Sequence, residues 1–113
     1  MKLSYDKPYI VYISTNADRS VLYTGVTNDL HARLVEHYLN KGTSKSFAGK
    51  YFCHHLIYYE TFENINDAIA REKEIKKWRR EKKINLINIW NPTWTFLNKE
   101  ICGIWPPKSF TKK

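Results

Sequence analysis

Several things are scarce in this sequence. It has no apolar run long enough to span a bilayer. Its opening residues, Met1 to Pro8, lack the apolar stretch of a signal peptide. The expectation from both is a cytoplasmic protein that does not engage a membrane. Cysteine is almost missing: Cys53 and Cys102 stand far apart and form no CxxC unit. That argues against a zinc or redox motif and for two ordinary reduced thiols. No internal repeat and no low-complexity linker interrupts the chain, which leaves no room for a solenoid or a tethered array. Acidic residues are few, 11 against 19 lysines and arginines, for a net charge of +8.

What remains is enough for one core. The 113 residues suit a single domain, and 42% are hydrophobic, a globular composition. The positive charge is uneven. Residues 1–70 balance seven basic against seven acidic side chains, whereas residues 71–83 hold 8 basic and 3 acidic. A local basic stripe of this kind draws polyanions. It is also what a solvated helix face looks like when laced with i,i+4 pairs such as Glu72/Lys76. Charge by itself leaves both readings open.

Tyr9-Ile10-Val11-Tyr12-Ile13 is rich in β-branched and aromatic residues and predicts a strand. Residues 16–20 are turn material, and 21–26 predict a second strand, antiparallel to the first. Thr27-Asn28-Asp29 offers N-cap chemistry for a helix with Leu30, Leu34 and Tyr38 on one face, ending near Gly42. Residues 42–50 read as a Gly/Ser/Lys loop, and 55–62 as a third strand. Asn64 or Asn66 caps a long helix expected from Ile65 to Lys82. A shorter one follows over 84–90 and stops at Asn91-Pro92. The expectation is an α+β fold: a three-stranded antiparallel sheet flanked by helices, in the order β-β-α-β-α-α. Trp94, Phe96, Trp105 and the Pro106-Pro107 pair either pack back on the core or serve an interface.

A few residues sit awkwardly in a pure packing account. Glu72 shares the helix face of Ile65, Ala68, Ile69 and Ile75. A carboxylate in an apolar stripe is costly unless paired or bound to a cation. Either it pairs with Lys76 or another base, or it is a ligand for a hard divalent cation, which prefers oxygen donors. Arg33 and His37 are four apart on the first helix. They are a snorkelling arginine and a structural histidine, or else the fixed positive charge and titratable group that phosphoryl transfer needs. Tyr12 and Tyr23 carry hydroxyls that need partners if buried. Gly25 marks a place where a backbone or ligand can approach closely.

Taken as an ordered set, Ile10-Val11-Tyr12, Tyr23-Thr24-Gly25, Arg33, His37 and Glu72 resemble the GIY-YIG endonuclease family. Residues 23–37 look like its second signature and following helix. Leu56 to Glu60 with Ala68 to Trp78 look like its third strand and metal-binding helix. Asn91-Pro92-Thr93-Trp94 matches the ending of small stand-alone bacterial members, which are like the N-terminal domain of the excision-repair nuclease C subunit. The likeness runs from about residue 8 to residue 98. Ile10 replaces the glycine of the first motif and Thr24 the isoleucine of the second, and neither change removes a chemical group.

The resemblance implies a metal-dependent endonuclease that hydrolyses phosphodiester bonds in DNA, branched or damaged forms included, in repair or recombination. It implies that Glu72 holds a single Mg²⁺ or Mn²⁺ and that Arg33 neutralises charge growing on the phosphate. It makes Tyr12 the base, helped by Tyr23 or His37, provided a nearby cation lowers its pKa. Asn91 matches a family asparagine near the site, with Asn85 and Asn88 competing for that place. Lys45 and Lys50 in the loop, and Lys76, Lys77, Arg79 and Arg80 in the basic run, would grip the phosphate backbone. Residues 1–98 would form the nuclease domain. Residues 99–113 would be a tail packed on it or at an interface, in a monomer or homodimer. The alternatives are a non-catalytic nucleic-acid-binding module of the same fold and a protein-interaction domain using the tryptophan-rich tail.

Overall fold

The computed structural model describes residues 7–107. Three antiparallel strands, β1 (Tyr9–Thr15), β2 (Leu22–Thr27) and β3 (His55–Phe62), form a sheet in the order β2-β1-β3. The most buried strand, β1, is therefore central. Helix α1 (Leu30–Leu39) follows β2, and α3 (Ile65–Lys77) and α4 (Arg80–Trp90) follow β3. The α+β class and the antiparallel sheet are as the sequence predicts. Two short helices join the expected order: α2 (Phe47–Lys50) and α5 (Asn98–Cys102).

The period-2 alternation of β1 divides the core between the two sheet faces. Val11 and Ile13 point to one face and pack with Ile57, Tyr58, Ala68, Ile75 and Ile87 under α3 and α4. Tyr12 points to the other face and packs with Leu30, Leu34 and Leu56 under α1. Caps fix where the covering helices begin. The Asp29 side chain accepts from the amide of Ala32 at 3.1 Å, and that of Asn64 accepts from Asn66 at 2.7 Å.

Three expectations need correction. The long helix does not reach Lys82: Trp78 takes an extended conformation (φ −71°, ψ 151°), and the chain restarts as α4 at Arg80 instead of Ile84. Packing of Trp78 on the first core cluster outweighs the helix propensity of the surrounding lysines and arginines. Residues 47–50 are helical because Ser46 accepts from the amide of Gly49 at 3.0 Å, forming an N-cap inside the expected loop. Ile65, assigned to the sheet-facing stripe, is 39% exposed at the first turn of α3.

The segment after α4 folds back over the sheet. Trp94 and Phe96 pack on the first cluster, and Leu97, Ile101, Cys102 and Trp105 pack on the second. Asn98 fastens this return, accepting from the Leu56 amide at 2.7 Å and donating to the His54 carbonyl at 2.7 Å. Among the described residues, no helix is long and apolar enough to cross a membrane.

Candidate active site

The polar groups gather on the α1 side of the sheet. In the β1–β2 register Tyr12 lies opposite Gly25 and Ser14 opposite Tyr23. Tyr12, Tyr23 and Gly25 therefore share a face. A Cβ on Gly25 would lie 2.5 Å from the Tyr12 hydroxyl, so glycine is what lets the phenol lie across β2. That phenol reaches α1, where its hydroxyl is hydrogen-bonded to Nε2 of buried His37 at 2.8 Å. Either partner can donate, depending on which ring nitrogen carries the proton.

Tyr23 stands beside the pair. Its ring lies 6.1 Å from that of Tyr12 and meets His37 edge-on at 5.4 Å. Arg33, one turn before His37, is held by Glu36 at 3.2 Å, and its charge bears on both Tyr12 and His37. Thus Tyr12, Tyr23, Arg33 and His37 meet in one cluster.

The electrostatics differ from the sequence expectation. Burial, reinforced by neighbouring Tyr23, drives the Tyr12 phenol well above its ordinary value, and Arg33 only partly opposes this. Burial, then Arg33, holds His37 down to about 4. The imidazole is accordingly neutral at neutral pH. Tyr12 is also fully covered, whereas Tyr23 borders a cavity with Leu22, Thr24, Phe47, Lys76 and Lys83. The cavity spans the β2 edge, so Tyr23 rather than Tyr12 is the phenol that faces it.

Glu72 sits on α3 with its side chain 15% exposed, and its carboxylate binds Lys76 at 2.9 Å. The i,i+4 pair weighed from the sequence therefore exists. It connects Glu72 to the cavity that Tyr23 lines, because Lys76 belongs to both. Among the described residues, no group of three or more His, Cys, Asp or Glu side chains is placed to hold a metal ion. A single carboxylate still fits a cation of the Mg²⁺ kind, which keeps several waters and takes one or two carboxylates beside substrate phosphates.

Lys45, Lys50, Lys77, Arg79 and Arg80 are exposed, as a polyanion grip requires, but only Lys76 of the expected basic set lines the Tyr23 cavity. Lys83 and Phe47 line it too, and the sequence reading assigned neither to the site. Lys83 was legible only as another cation in the run, since its placement depends on the break at Trp78. Asn91 is corrected. It is buried at the end of α4, donates to the carbonyls of Ile57 at 2.9 Å and Thr95 at 3.0 Å, and accepts from the Thr95 amide at 3.2 Å. Its amide is committed to tying α4 to β3.

The family model described as the GIY-YIG catalytic domain matches residues 8–85. UPF0213 proteins of Staphylococcus aureus strains N315 and MW2 are 39% identical to the chain over 79 residues, covering 70% of the chain and 93% of each relative. A UPF0213 protein of strain Mu3 matches to the same extent, 39% over 79 residues. No solved structure matches the chain.

Proposed function

The chain belongs to the GIY-YIG family, a nuclease family, and from that premise we propose that it is an endonuclease hydrolysing phosphodiester bonds in DNA with one divalent cation, Mg²⁺ or Mn²⁺. The observation that carries this reading is the buried Tyr12–His37 hydrogen bond beside Tyr23 and the Arg33 charge. An apolar side chain would fill the same space without the cost of burying polar groups, so packing alone does not account for it.

These residues suggest a proton path. Tyr23, at the cavity, takes a proton from the attacking water as it passes its own to Tyr12. Tyr12 in turn passes its proton to Nε2 of neutral His37. In such a relay no buried phenol holds a full negative charge, so the raised pKa of Tyr12 is no obstacle. Burial and then Arg33 disfavour an imidazolium; negative charge growing on the phosphate offsets the Arg33 part, and Arg33 stabilises that charge as well. Glu72 would hold the cation once Lys76, half-exposed, swings away. Bound there, the cation supplies charge neutralisation at the phosphate and leaving oxygen. Lys76, Lys83 and the exposed lysines and arginines of 71–83 would hold the backbone by charge. Repair or recombination is the setting this chemistry suits, with the protein acting as a monomer or homodimer.

A second reading, a nucleic-acid-binding module without turnover, draws on the occupied Glu72 carboxylate and the covered Tyr12. A plasmid-nicking assay with Mg²⁺ or Mn²⁺ separates the two. Metal-dependent nicking that falls at least about 100-fold in Glu72→Ala is expected. Nicking indifferent to that substitution removes Glu72 from the site, and none with any divalent ion leaves the binding module.

A further inference from the structure

Beside Tyr23 the surface carries aromatic rings that the fold does not bury. Phe47 is 50% exposed, Tyr51 40% and Phe52 49%, all on or just after α2. Large apolar groups left in water side by side call for an explanation beyond packing. Phe47 stacks on Tyr23, with ring centroids 5.9 Å apart and planes 25° apart. Tyr51 continues the row at 4.7 Å from Phe47. The row therefore starts at the candidate active site and runs outwards over α2.

The charged side chains that line or flank it are lysines, of which Lys76 is paired with Glu72. Lys50 lies over the Tyr51 ring at 5.4 Å, and Lys76 and Lys83 face Phe47 across the cavity. Among the described residues, no acidic side chain lines that cavity. Aromatic faces set among lysines attract a partner that is flat and apolar in one part and anionic in another. A nucleotide has both parts, but its base offers a face only when unstacked. In an intact duplex the faces are hidden and only the phosphates are available.

We infer that the Phe47–Tyr51 row is a stacking platform for an unpaired nucleobase, and that the substrate of this chain is single-stranded nucleic acid or a single-stranded segment next to the cut. This rests on the reading of the Tyr23 cluster as a nuclease site. The base stacks on Phe47 while Lys50, Lys76 and Lys83 take its flanking phosphates. That sets the scissile phosphate beside Tyr23, because Phe47 and Tyr23 are in contact. Phe47 and Tyr51 are binding residues here and take no part in bond breaking.

The test is binding without turnover, with EDTA present. Fluorescence anisotropy compares a single-stranded DNA oligonucleotide, its RNA counterpart and the same DNA sequence as a blunt duplex. An oligonucleotide carrying 2-aminopurine reports stacking directly through quenching. The full chain is expected to bind single strands more tightly than duplex and to quench the probe. Phe47→Ala should weaken single-strand binding about 5- to 150-fold and abolish quenching, with duplex affinity unchanged. Phe47→Tyr, which keeps a ring, should retain both. Phe47 is half-exposed, so neither variant removes core packing, and circular dichroism checks the fold. An equal loss for single strand and duplex, or no loss for either, overturns the platform. So does a concentration-dependent dimer that Phe47→Ala dissolves, since the rings then cover a second copy. The DNA and RNA arms identify the strand. Because EDTA keeps turnover out of the assay, stacking with no nicking under any metal sinks the nuclease reading alone. Nicking without single-strand preference sinks the platform alone.

Discussion

The two faces of one sheet are built on opposite terms. Under α3 and α4, β1 presents Val11 and Ile13 to the apolar side chains of Ala68, Ile75 and Ile87. Under α1 the same strand presents Tyr12 to His37, Tyr23 and Arg33. Adjacent residues thus serve different ends because strand side chains alternate. The apolar face needs only volume and shape, and hydrophobic burial stabilises it. The polar face needs particular atoms, because a buried hydroxyl or imidazole without a partner is expensive. Gly25 belongs to the second kind: its missing Cβ leaves the 2.5 Å of room that the Tyr12 hydroxyl occupies.

The strongest way to sharpen this contrast is Tyr12→Phe. The ring keeps its packing and loses one oxygen. Nicking is expected to fall about 10²- to 10⁴-fold, the range for removing a proton-transfer group. Stability should fall by about 1–3 kcal/mol, because the substitution leaves the buried Nε2 of His37 without its partner. Urea denaturation and initial nicking rates measure the two separately. A rate within a few-fold of the parent removes Tyr12 from the proton path.

On the other face Ile75→Ala should do the reverse. Ile75 is fully buried between α3 and the sheet. Its truncation is expected to lower stability by about 2–5 kcal/mol through lost burial and the cavity left behind. The rate per folded molecule should stay within a few-fold. A large rate loss in protein that is fully folded would show that the faces are coupled and the contrast is false.

These faces were unequally visible in the sequence. The β-branched and aromatic run of β1, the turn at 16–20 and the caps at Asp29 and Asn64 are local signals, and each stands where it was read. The break at Trp78 has no such signal, since no glycine or proline marks it. It arises because the tryptophan finds a place on the core, a tertiary effect. Helix α2 was hidden because Gly49 reads as a loop residue, yet it sits against the Asn40 backbone where a Cβ would come within 2.6 Å. The motif residues were legible as a set, but the Tyr12–His37 bond depends on register across β1, β2 and α1. The hydrogen bond of Asn91 to the backbone of Ile57 was likewise invisible in the sequence, because it joins segments far apart in it.

The smallest expected effect is a dependence of stability on pH, carried by the partly buried histidines His37, His54 and His55. Burial holds His37 down to about 4, and Arg33 adds to that. Burial, with His55, Lys41 and His37 nearby, also holds His54 down to about 4. An unfolded chain lets both take a proton at the usual histidine value near 6.5. Between these limits the unfolded state binds more protons, so stability falls as pH drops from about 6.5 towards 4. Above 6.5 both histidines are neutral in either state, and this contribution to stability is fully present. At pH 6 each histidine should already cost on the order of 1 kcal/mol. Asp18 and Asp29 have lowered values and also destabilise on acidification, but only in the carboxylate range below. Thermal melts at pH 7.5, 6.0 and 5.0 isolate the histidine contribution, and His37→Gln should flatten part of the slope. A melting temperature constant over that range would mean that neither imidazole is held below its ordinary value, and the account of a desolvated His37 would fail.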